Sequence, residues 1–441
     1  MKRYDKAFSE ILELQHPFYI TEDGAMSQPS LDNMHRLNRV LGDPCRNLKV
    51  IHVAGTNGKG SCVNMLASVL ISLGYKIGVY QSPHIIDCRE RIAINGKKIS
   101  KNDFCRIWGL QKRYVRKNNS TTYAEILVSM AMRYFVEKKV DIAIIEVGIG
   151  GLNDVTNICD KPIISVVTSV GYAHTRLLGF SLEEIARQKA GVIKNKVPVV
   201  LGNIPYRPLA IIEKVARERQ APIFSIKDFW KKIPISNRIS HDRWFDLKGG
   251  FQKYNVRTVI IVLFLLEKYS YINELSRNMV LVHRALRMSK EIMSFRGRWD
   301  VISNKPLIIL DICSNVSSFK QCVIELNRLK VNGKYKKLFI LFGVAELSSY
   351  DVIKWSRILP REAYYVIPCS DATRNTIDIF KAMNIKVDTQ PSIDAALKKC
   401  VEIASVEDAI FIGGSHYIAT RIFSYLKSQD GSYLVKNMNA I

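Results

Sequence analysis

Glycines, one lysine and one serine at close spacing give the sequence its clearest chemistry. The segment His52-Val53-Ala54-Gly55-Thr56-Asn57-Gly58-Lys59-Gly60-Ser61 follows an apolar strand pattern and precedes an apolar helix pattern beginning near Cys62. Glycines at 55, 58 and 60 let the backbone turn tightly, so that its N–H groups point at phosphate oxygens. A helix opening at the same place adds the positive end of its dipole. Lys59 is placed to reach the β- and γ-phosphates of a nucleotide, and Ser61 to sit near the accompanying metal. The spacing is GxxGKGS and not the commoner GxxxxGK[ST], because Val53 stands where the first glycine would be. An ordinary glycine turn is the competing explanation.

Other polar residues stand where apolar neighbours predominate. Glu146 ends an apolar strand pattern, where a carboxylate has no structural task; a solvated strand-end glutamate is the plain alternative. His174 alone reads as readily as a core or cap residue. Lys189 lies on an amphipathic helix pattern, where a lysine usually lays its stem on the surface with its amine in water. Arg298 has the planar fork that suits a phosphate or a base, and Asp311 ends a strand pattern. Either could equally be a partner in a salt bridge between domains.

The elements that must position these residues alternate. Val- and Ile-rich runs occur at Lys49–Ala54, Lys76–Tyr80, Asp141–Val147, Ile163–Thr168 and Val197–Leu201, and again at Leu307–Asp311, Leu338–Phe342, Tyr364–Ile367 and Ala409–Ile412. Continuous apolar strands are what parallel sheets bury on both faces. Helix patterns lie between them at Leu66–Leu73, Asp103–Arg116 (with Ser100 and Asp103 spaced as a capping box), Leu182–Lys189 and Val256–Tyr269. The alternation predicts an α/β architecture with ligands at the carboxyl ends of strands. Nine strands exceed what one compact sheet usually holds. The pattern pauses from about Asp228 to Asn255 and resumes after residue 295, which places a boundary there: residues 1–294 and a smaller domain of residues 295–441.

Composition bounds the function. The 441 residues carry a formal charge of +25, and hydrophobic residues make up 47%, normal for a packed protein. So basic a chain raises nucleic acid as a partner, yet no recognised nucleic-acid module is present. Residues 295–441 hold 20 basic and 14 acidic side chains, so most of the excess lies before them. The longest purely apolar run, Val259 to Leu266, is eight residues, too short to cross a membrane. No apolar signal core follows Met1-Lys2-Arg3-Tyr4-Asp5, which points away from secretion. Nine cysteines, an odd number with no CxxC pair, argue for reduced thiols in a cytoplasmic protein and against a disulfide scaffold or a zinc site.

The phosphate loop GTNGKGS also resembles that of the folylpolyglutamate synthase and dihydrofolate synthase family, within the Mur ligase superfamily. Further segments agree in order. Ser82-Pro83-His84 with Arg89-Glu90-Arg91-Ile92, Asn95-Gly96 and Ile99-Ser100 is similar to the family's SPH…RERI…NG…IS block. Glu146-Val147-Gly148-Ile149-Gly150-Gly151 with Asp154, Thr156 and Asn157 is similar to EVGLGGRLDATN. Leu182-Glu183-Glu184-Ile185-Ala186-Arg187-Gln188-Lys189-Ala190-Gly191 resembles TLEEIAREKAG. Gln252 and Asn255 resemble an HQxxN segment, and Gly297-Arg298 and Leu310-Asp311 resemble PGR and LDGAHN.

The resemblance implies a Mur-ligase-like fold: an N-terminal P-loop ATPase domain with a mostly parallel sheet and a smaller C-terminal Rossmann-like domain. It implies ATP-dependent joining of L-glutamate to a folate carboxyl, or to dihydropteroate, through an acyl phosphate. ATP and Mg²⁺ are the implied cofactors, with a monovalent cation such as K⁺, and a monomer without nucleic-acid or membrane partners is the implied state. By residue, it places Gly55, Thr56, Asn57, Gly58, Lys59, Gly60, Ser61, Asn255, Arg298 and Asp311 on ATP. Ser82, Glu146, His174 and Lys189 are placed on metal, with Lys189 carbamylated. Lys59, Lys189 and His174 serve the chemistry, and Arg89, Thr122, Tyr123 and Asp154 the folate. The chain departs from the family pattern at Ala173 (Asp), Ser314 (His), Leu152 (Arg) and Ala124 (an aromatic). A catalytically impaired nucleotide-binding relative, or a Mur-type ligase with another acid substrate, is the alternative these departures leave open.

Overall fold

The computed structural model describes residues 3–14, 31–118, 121–234, 236, 238–239, 244–343, 354–355, 357–369, 377, 380–381 and 383–428. The chain divides into two compact units. The first comprises Met1–His84, Cys88–Asp246 and Gln252–Ser294; the second comprises Ile85–Asp87, Leu247–Phe251 and Phe295–Ile441. Two short stretches within residues 1–294 therefore pack with the second unit. Ile85 joins its apolar core beside Ile308 and Ile312, and the Gly250 N–H donates to Glu325 Oε1 at 2.6 Å.

In the first unit, strands β1 (Val50–Ala54), β2 (Ile77–Tyr80), β3 (Ile92–Ile94), β4 (Lys97–Lys98), β5 (Ile142–Glu146), β6 (Ile164–Ser169), β7 (Val199–Asn203) and β8 (Ile223–Ser225) form one sheet. Their order is β4-β3-β2-β5-β1-β6-β7-β8. β1 lies at the centre, parallel to β5 and β6, with Val53 opposite Glu146 and Ala54 opposite Val167. Every residue of β1 and β5 is buried, which is why these strands read as unbroken apolar runs. β3 and β4 turn back antiparallel at one edge. They carry no apolar run long enough to be seen in the sequence, and Lys97 and Lys98 are both exposed. The strand β8 at the other edge was likewise not anticipated.

The helix after β1 spans Lys59–Ser72 and is buried along almost its whole length; it starts within the phosphate loop, three residues before the start expected near Cys62. The helix Lys101–Lys117 is capped by Ser100, whose hydroxyl accepts from the Asp103 N–H at 3.0 Å. Gln252–Lys268 is a helix buried on most sides; it begins four residues before the apolar pattern at Val256.

In the second unit, β9 (Asp300–Asn304), β10 (Leu307–Asp311), β11 (Leu338–Phe342), β12 (Tyr364–Pro368), β13 (Val387–Gln390) and β14 (Ala409–Gly413) are ordered β13-β12-β11-β14-β10-β9. The pairings are parallel except for β9 on β10. The edge strands β9 and β13 are the two the sequence did not reveal: both are rich in polar residues and only partly buried. Helices Val316–Val331, Ile393–Ile403 and His416–Leu426 accompany this sheet. Among the described residues, no helix is long and apolar enough to cross a membrane.

Candidate functional site

The centre of the first unit's sheet converges on one place. β1 ends at Ala54 and runs into the loop Gly55–Gly58. That loop is latched to the end of the neighbouring strand β6. The Thr56 N–H donates to Ser169 O at 2.9 Å, the Asn57 N–H to Ser169 Oγ at 2.9 Å, and Thr168 Oγ1 donates to Asn57 O at 2.7 Å. Thr56 Oγ1 donates to Gly171 O at 3.0 Å. Two glycines are required by this path. A Cβ at Gly55 would fall 1.9 Å from Thr168 Oγ1, and Gly58 has φ +85° with Asn255 Oδ1 only 2.4 Å from where a Cβ would stand.

Gly58 is also the N-cap of the helix Lys59–Ser72, so the first-turn amides of Lys59, Gly60 and Ser61 present the positive end of the dipole. The Lys59 ammonium arches back to donate to Gly55 O at 3.0 Å. Ser61 is buried, and its Oγ accepts from Gln252 Nε2 at 3.3 Å; Gln252 Oε1 in turn accepts from Asn255 Nδ2 at 2.7 Å. The structure therefore brings Asn255 to the loop although 197 residues separate it from Gly58 in the chain. Thr168, Ser169 and Gln252 do the positioning. The hydroxyls at the end of β6 were the signal available for the first two.

The carboxylates and amines gather beside this loop. Glu146, 4% exposed, ends β5, one strand from the loop, and accepts from the Ser82 N–H at 3.4 Å. Asp154 and Ser82 both approach Gly148, where a Cβ would lie 3.1 Å from Asp154 Oδ2 and 3.9 Å from Ser82 Oγ. Asp154 is buried with several donors: the Ile149 N–H at 2.8 Å, the Thr156 N–H at 3.0 Å and the Thr156 hydroxyl. Burial nevertheless raises its pKa above the ordinary carboxylate value.

Behind it, His52 Nε2 lies 2.8 Å from Thr156 Oγ1. Because the Thr156 hydroxyl donates to Asp154, it accepts from His52, which fixes the proton on Nε2 and leaves the buried Nδ1 without a partner. Burial holds this imidazole neutral, with its pKa lowered to about 3. His52, on the interior strand β1, escaped the sequence reasoning.

Lys189 closes the cluster. It sits in the last turn of the helix Leu182–Ala190, 2% exposed. Burial, and then the Lys59 charge, push its amine down to about 7, with Asp154 acting in the opposite sense. His174 has φ +52° immediately before the short helix Thr175–Leu178. The residue keeps more than a third of its surface open to solvent, yet the crowding of its imidazole, and then the charges of Lys59 and Lys189, lower its pKa from the ordinary value. Lys59, His174, Lys189 and Asp154 thus lie close enough to act on one another electrically.

The residues expected on folate behave differently. Thr122 caps the helix Tyr123–Glu137 in a reciprocal box with Glu125. The Arg89 guanidinium lies over the Tyr4 ring, 5.0 Å from its centroid, and Arg89 Nη1 donates to Ile99 O at 3.3 Å. Tyr123 is stacked under Arg91 at 5.3 Å, and Arg91 Nε donates to His84 Nδ1 at 3.0 Å. Arg91, not foreseen as a site residue, reaches towards both groups: its charge acts on Tyr80 together with that of Asp154, and on Tyr123. Asp154 belongs with Glu146 and Lys189 more than with Arg89 and Tyr4.

Arg298 and Asp311 lie in the second unit. Asp311 ends β10, and its Oδ2 accepts from the Trp299 N–H at 2.9 Å; Arg298 Nη1 donates to Gly297 O at 3.0 Å.

Residues 53–228 match the Mur ligase middle domain. The dihydrofolate synthase/folylpolyglutamate synthase of Bacillus subtilis is 28% identical over 423 residues, covering 91% of this chain and 95% of that one. Human mitochondrial folylpolyglutamate synthase is 41% identical over 183 residues, 40% of this chain and 31% of that protein. The bifunctional folylpolyglutamate synthase/dihydrofolate synthase of Yersinia pestis, crystallised with AMPPNP and a Mn ion, superposes with a TM-score of 0.78 at 23% identity, over 96% of this chain and 98% of that one, so the two share a fold. The matched middle domain contains the latched loop, Glu146, His174 and Lys189, and the likeness to the Bacillus enzyme runs over nearly the full length of both chains, so the chain is similar throughout to the folylpolyglutamate synthase/dihydrofolate synthase enzymes that carry this Mur ligase domain.

Proposed function

We propose that this protein is an ATP-dependent ligase that joins L-glutamate to a folate carboxyl through an acyl phosphate, with dihydropteroate as a second acceptor. One observation carries the reading: a phosphate loop fixed by β6 stands beside a buried carboxylate, a neutral imidazole and a buried amine of depressed pKa.

In this reading the loop amides and Lys59 hold the phosphates of ATP, and Asn255 lies against the loop at Gly58. Arg298 and Asp311 are the proposed nucleotide contacts of the second unit. The donors also suit Mg²⁺: a buried carboxylate from Glu146, the Ser82 hydroxyl and an uncharged His174, few enough that the cation keeps waters. Held there, the metal would supply positive charge that neutralises the phosphate oxygens during transfer.

A folate carboxylate oxygen attacks the γ-phosphorus, the bond from that phosphorus to the β–γ bridging oxygen breaks, and ADP leaves. The α-amine of glutamate then attacks the acyl carbon, an N–C bond forms, the C–O bond to phosphate breaks, and the amine gives up a proton. Lys59 and the loop amides are fixed before the reaction, so they stabilise the charge on the transferring phosphoryl group without rearranging. The Lys189 amine, neutral in large part near pH 7.5, adds to CO₂ with loss of one proton to solvent. The carbamate so formed is a carboxylate-like ligand beside His174. The folate ring is assigned to the region of Arg89, Thr122, Tyr123 and Asp154. A requirement for K⁺, a monomeric state and a cytoplasmic location complete the reading.

The test is incorporation of labelled L-glutamate into tetrahydrofolate or dihydropteroate. Product that requires both ATP and Mg²⁺ is expected. No product with either acceptor, under conditions where the Bacillus relative works, refutes the reading. Comparing potassium with sodium buffers tests the K⁺ requirement, weighing the protein in solution tests the monomeric state, and imaging a tagged chain in cells tests the location.

A further inference from the structure

The second unit contains a group of buried side chains of which the proposed chemistry uses only Asp311, as a nucleotide contact, and leaves the two thiols without a role. Asp311, Cys313 and Cys322 are all buried, and one ligand atom from each lies within 4.8 Å of the other two. Among the described residues this is the one such group of three. We propose that Asp311, Cys313 and Cys322 form a binding site for one thiophilic divalent cation of the zinc class.

The elements bring the three together although the sequence does not pair them. Asp311 is the last residue of β10. Cys313 follows two residues later and donates its thiol to Asp311 O at 3.4 Å. Cys322 lies on the helix Val316–Val331, whose buried face carries it into the same apolar core as Cys313. Eight residues lie between the cysteines, so no CxxC spacing announces them.

A tetrahedral zinc ion has metal–sulfur distances of about 2.3 Å and metal–oxygen distances of about 2.0 Å, so its ligand atoms stand roughly 3.5–3.8 Å apart. A spread of at most 4.8 Å is therefore closed by about 1 Å of side-chain movement. Two thiols and one carboxylate leave a fourth position for water.

The surroundings suit a closed site. Trp299, Ile309, Phe319, Leu326 and Phe411 share the apolar core with both cysteines, which keeps competing water away. The Trp299 N–H already holds Asp311 Oδ2 at 2.9 Å and so orients the carboxylate. Ser314, next to Cys313, is exposed, so the ligands lie one residue below the surface and an ion has a short way in. Uptake displaces two thiol protons to solvent and leaves two thiolates, a carboxylate and a dication, one net negative charge. Arg298 is near enough for its charge to act on Cys322 and offsets that excess.

The reduced full-length protein, free of nucleotide, is titrated with Co²⁺ and watched in the near ultraviolet, then challenged with Zn²⁺. A thiolate-to-cobalt charge-transfer band saturating at one equivalent and abolished by Zn²⁺ is expected. Co²⁺ at an oxygen-ligand magnesium site gives no such band. Cys313→Ala and Cys322→Ala should each weaken binding about tenfold or more, and the double variant should lose the band. Asp311→Asn keeps both thiols and serves as the second variant: it should retain the band with weaker binding. Circular dichroism and thermal unfolding show which variants are folded. No charge-transfer band in the folded wild type, or an undiminished band in a folded double variant, overturns the proposal. The readout involves no turnover, so its failure and the failure of the ligase reading are separate results.

Discussion

Lys189 offers the sharpest test of the site's electrostatics, because its ordinary neighbours on a helix surface would leave it fully charged. An unburied lysine amine has a pKa of 10.5, and burial beside Lys59 brings this one to about 7. At pH 7.5 the neutral fraction is then about three quarters, against roughly one part in a thousand for a free lysine, a several-hundred-fold gain in the species that adds to CO₂. The same shift has a stability signature. Below pH 7 the amine is protonated in both folded and unfolded chains, and burying the charge costs the fold the full difference, on the order of 5 kcal/mol. Between pH 7 and 10.5 the unfolded chain holds a proton that the folded chain has released. Stability therefore rises with pH by about 1.4 kcal/mol per unit, and the cost has vanished above 10.5. Lys189→Met removes the titration while keeping the stem. In CO₂-free buffer, wild type should gain on the methionine variant by about 2 kcal/mol from pH 7 to pH 9, measured by urea unfolding of the first unit. Lysine ¹³Cε resonances should show one midpoint near 7, absent from the variant. Adding ¹³C-labelled bicarbonate should produce a carbamate signal in wild type alone. Parallel stability curves, or a Lys189 midpoint above 9, would refute the reasoning, since the amine would then be charged at neutral pH and inert to CO₂.

Lys59→Ala should lower kcat for glutamate ligation about 10²–10³-fold while the unfolding midpoint moves little, because this side chain meets the loop at Gly55 O and not the core. Gly58→Ala forces a side chain into φ +85° and 2.4 Å from Asn255 Oδ1, so ATP affinity measured by calorimetry should fall at least tenfold; unchanged affinity would show that the loop path is not what binds phosphate. For His174, the folded pKa of about 4 lies below the ordinary 6.5, so the unfolded chain binds the extra proton between these values. The stabilisation is present above pH 6.5 and is lost as pH falls towards 4; because more than a third of His174 is open to solvent, which screens the effect, the loss relative to His174→Gln should be well short of the full shift, read by denaturant unfolding across that range.

What the sequence disclosed and what it hid follow from the same physics. Central strands of a parallel sheet are buried on both faces, so β1, β5 and β6 appear as continuous apolar runs that can be located to within two residues. Edge strands have no such obligation: β4 is two exposed lysines, and β13 alternates Asp388, Thr389 and Gln390. The glycine loop was legible because close backbone approach needs residues without Cβ atoms, and Thr168 Oγ1 now supplies the atom that forbids one at Gly55.

Charge states are another matter, because they depend on neighbours far away in the chain. Nothing local distinguishes Lys189 from the other charged residues of its helix, Glu183, Glu184 and Arg187; only packing beneath Gly151 and near Lys59 turns it into a buried amine. His52 is a similar case: its partner Thr156 lies 104 residues on. The departure at Ala173 can now be weighed in the same terms. An aspartate there would have raised the pKa of the adjacent imidazole; without it, the crowding of the imidazole and two lysine charges hold His174 neutral. A neutral imidazole is the form that can donate a lone pair to a metal. Losing the aspartate therefore removes an orienting partner and leaves intact the property on which His174's proposed role depends.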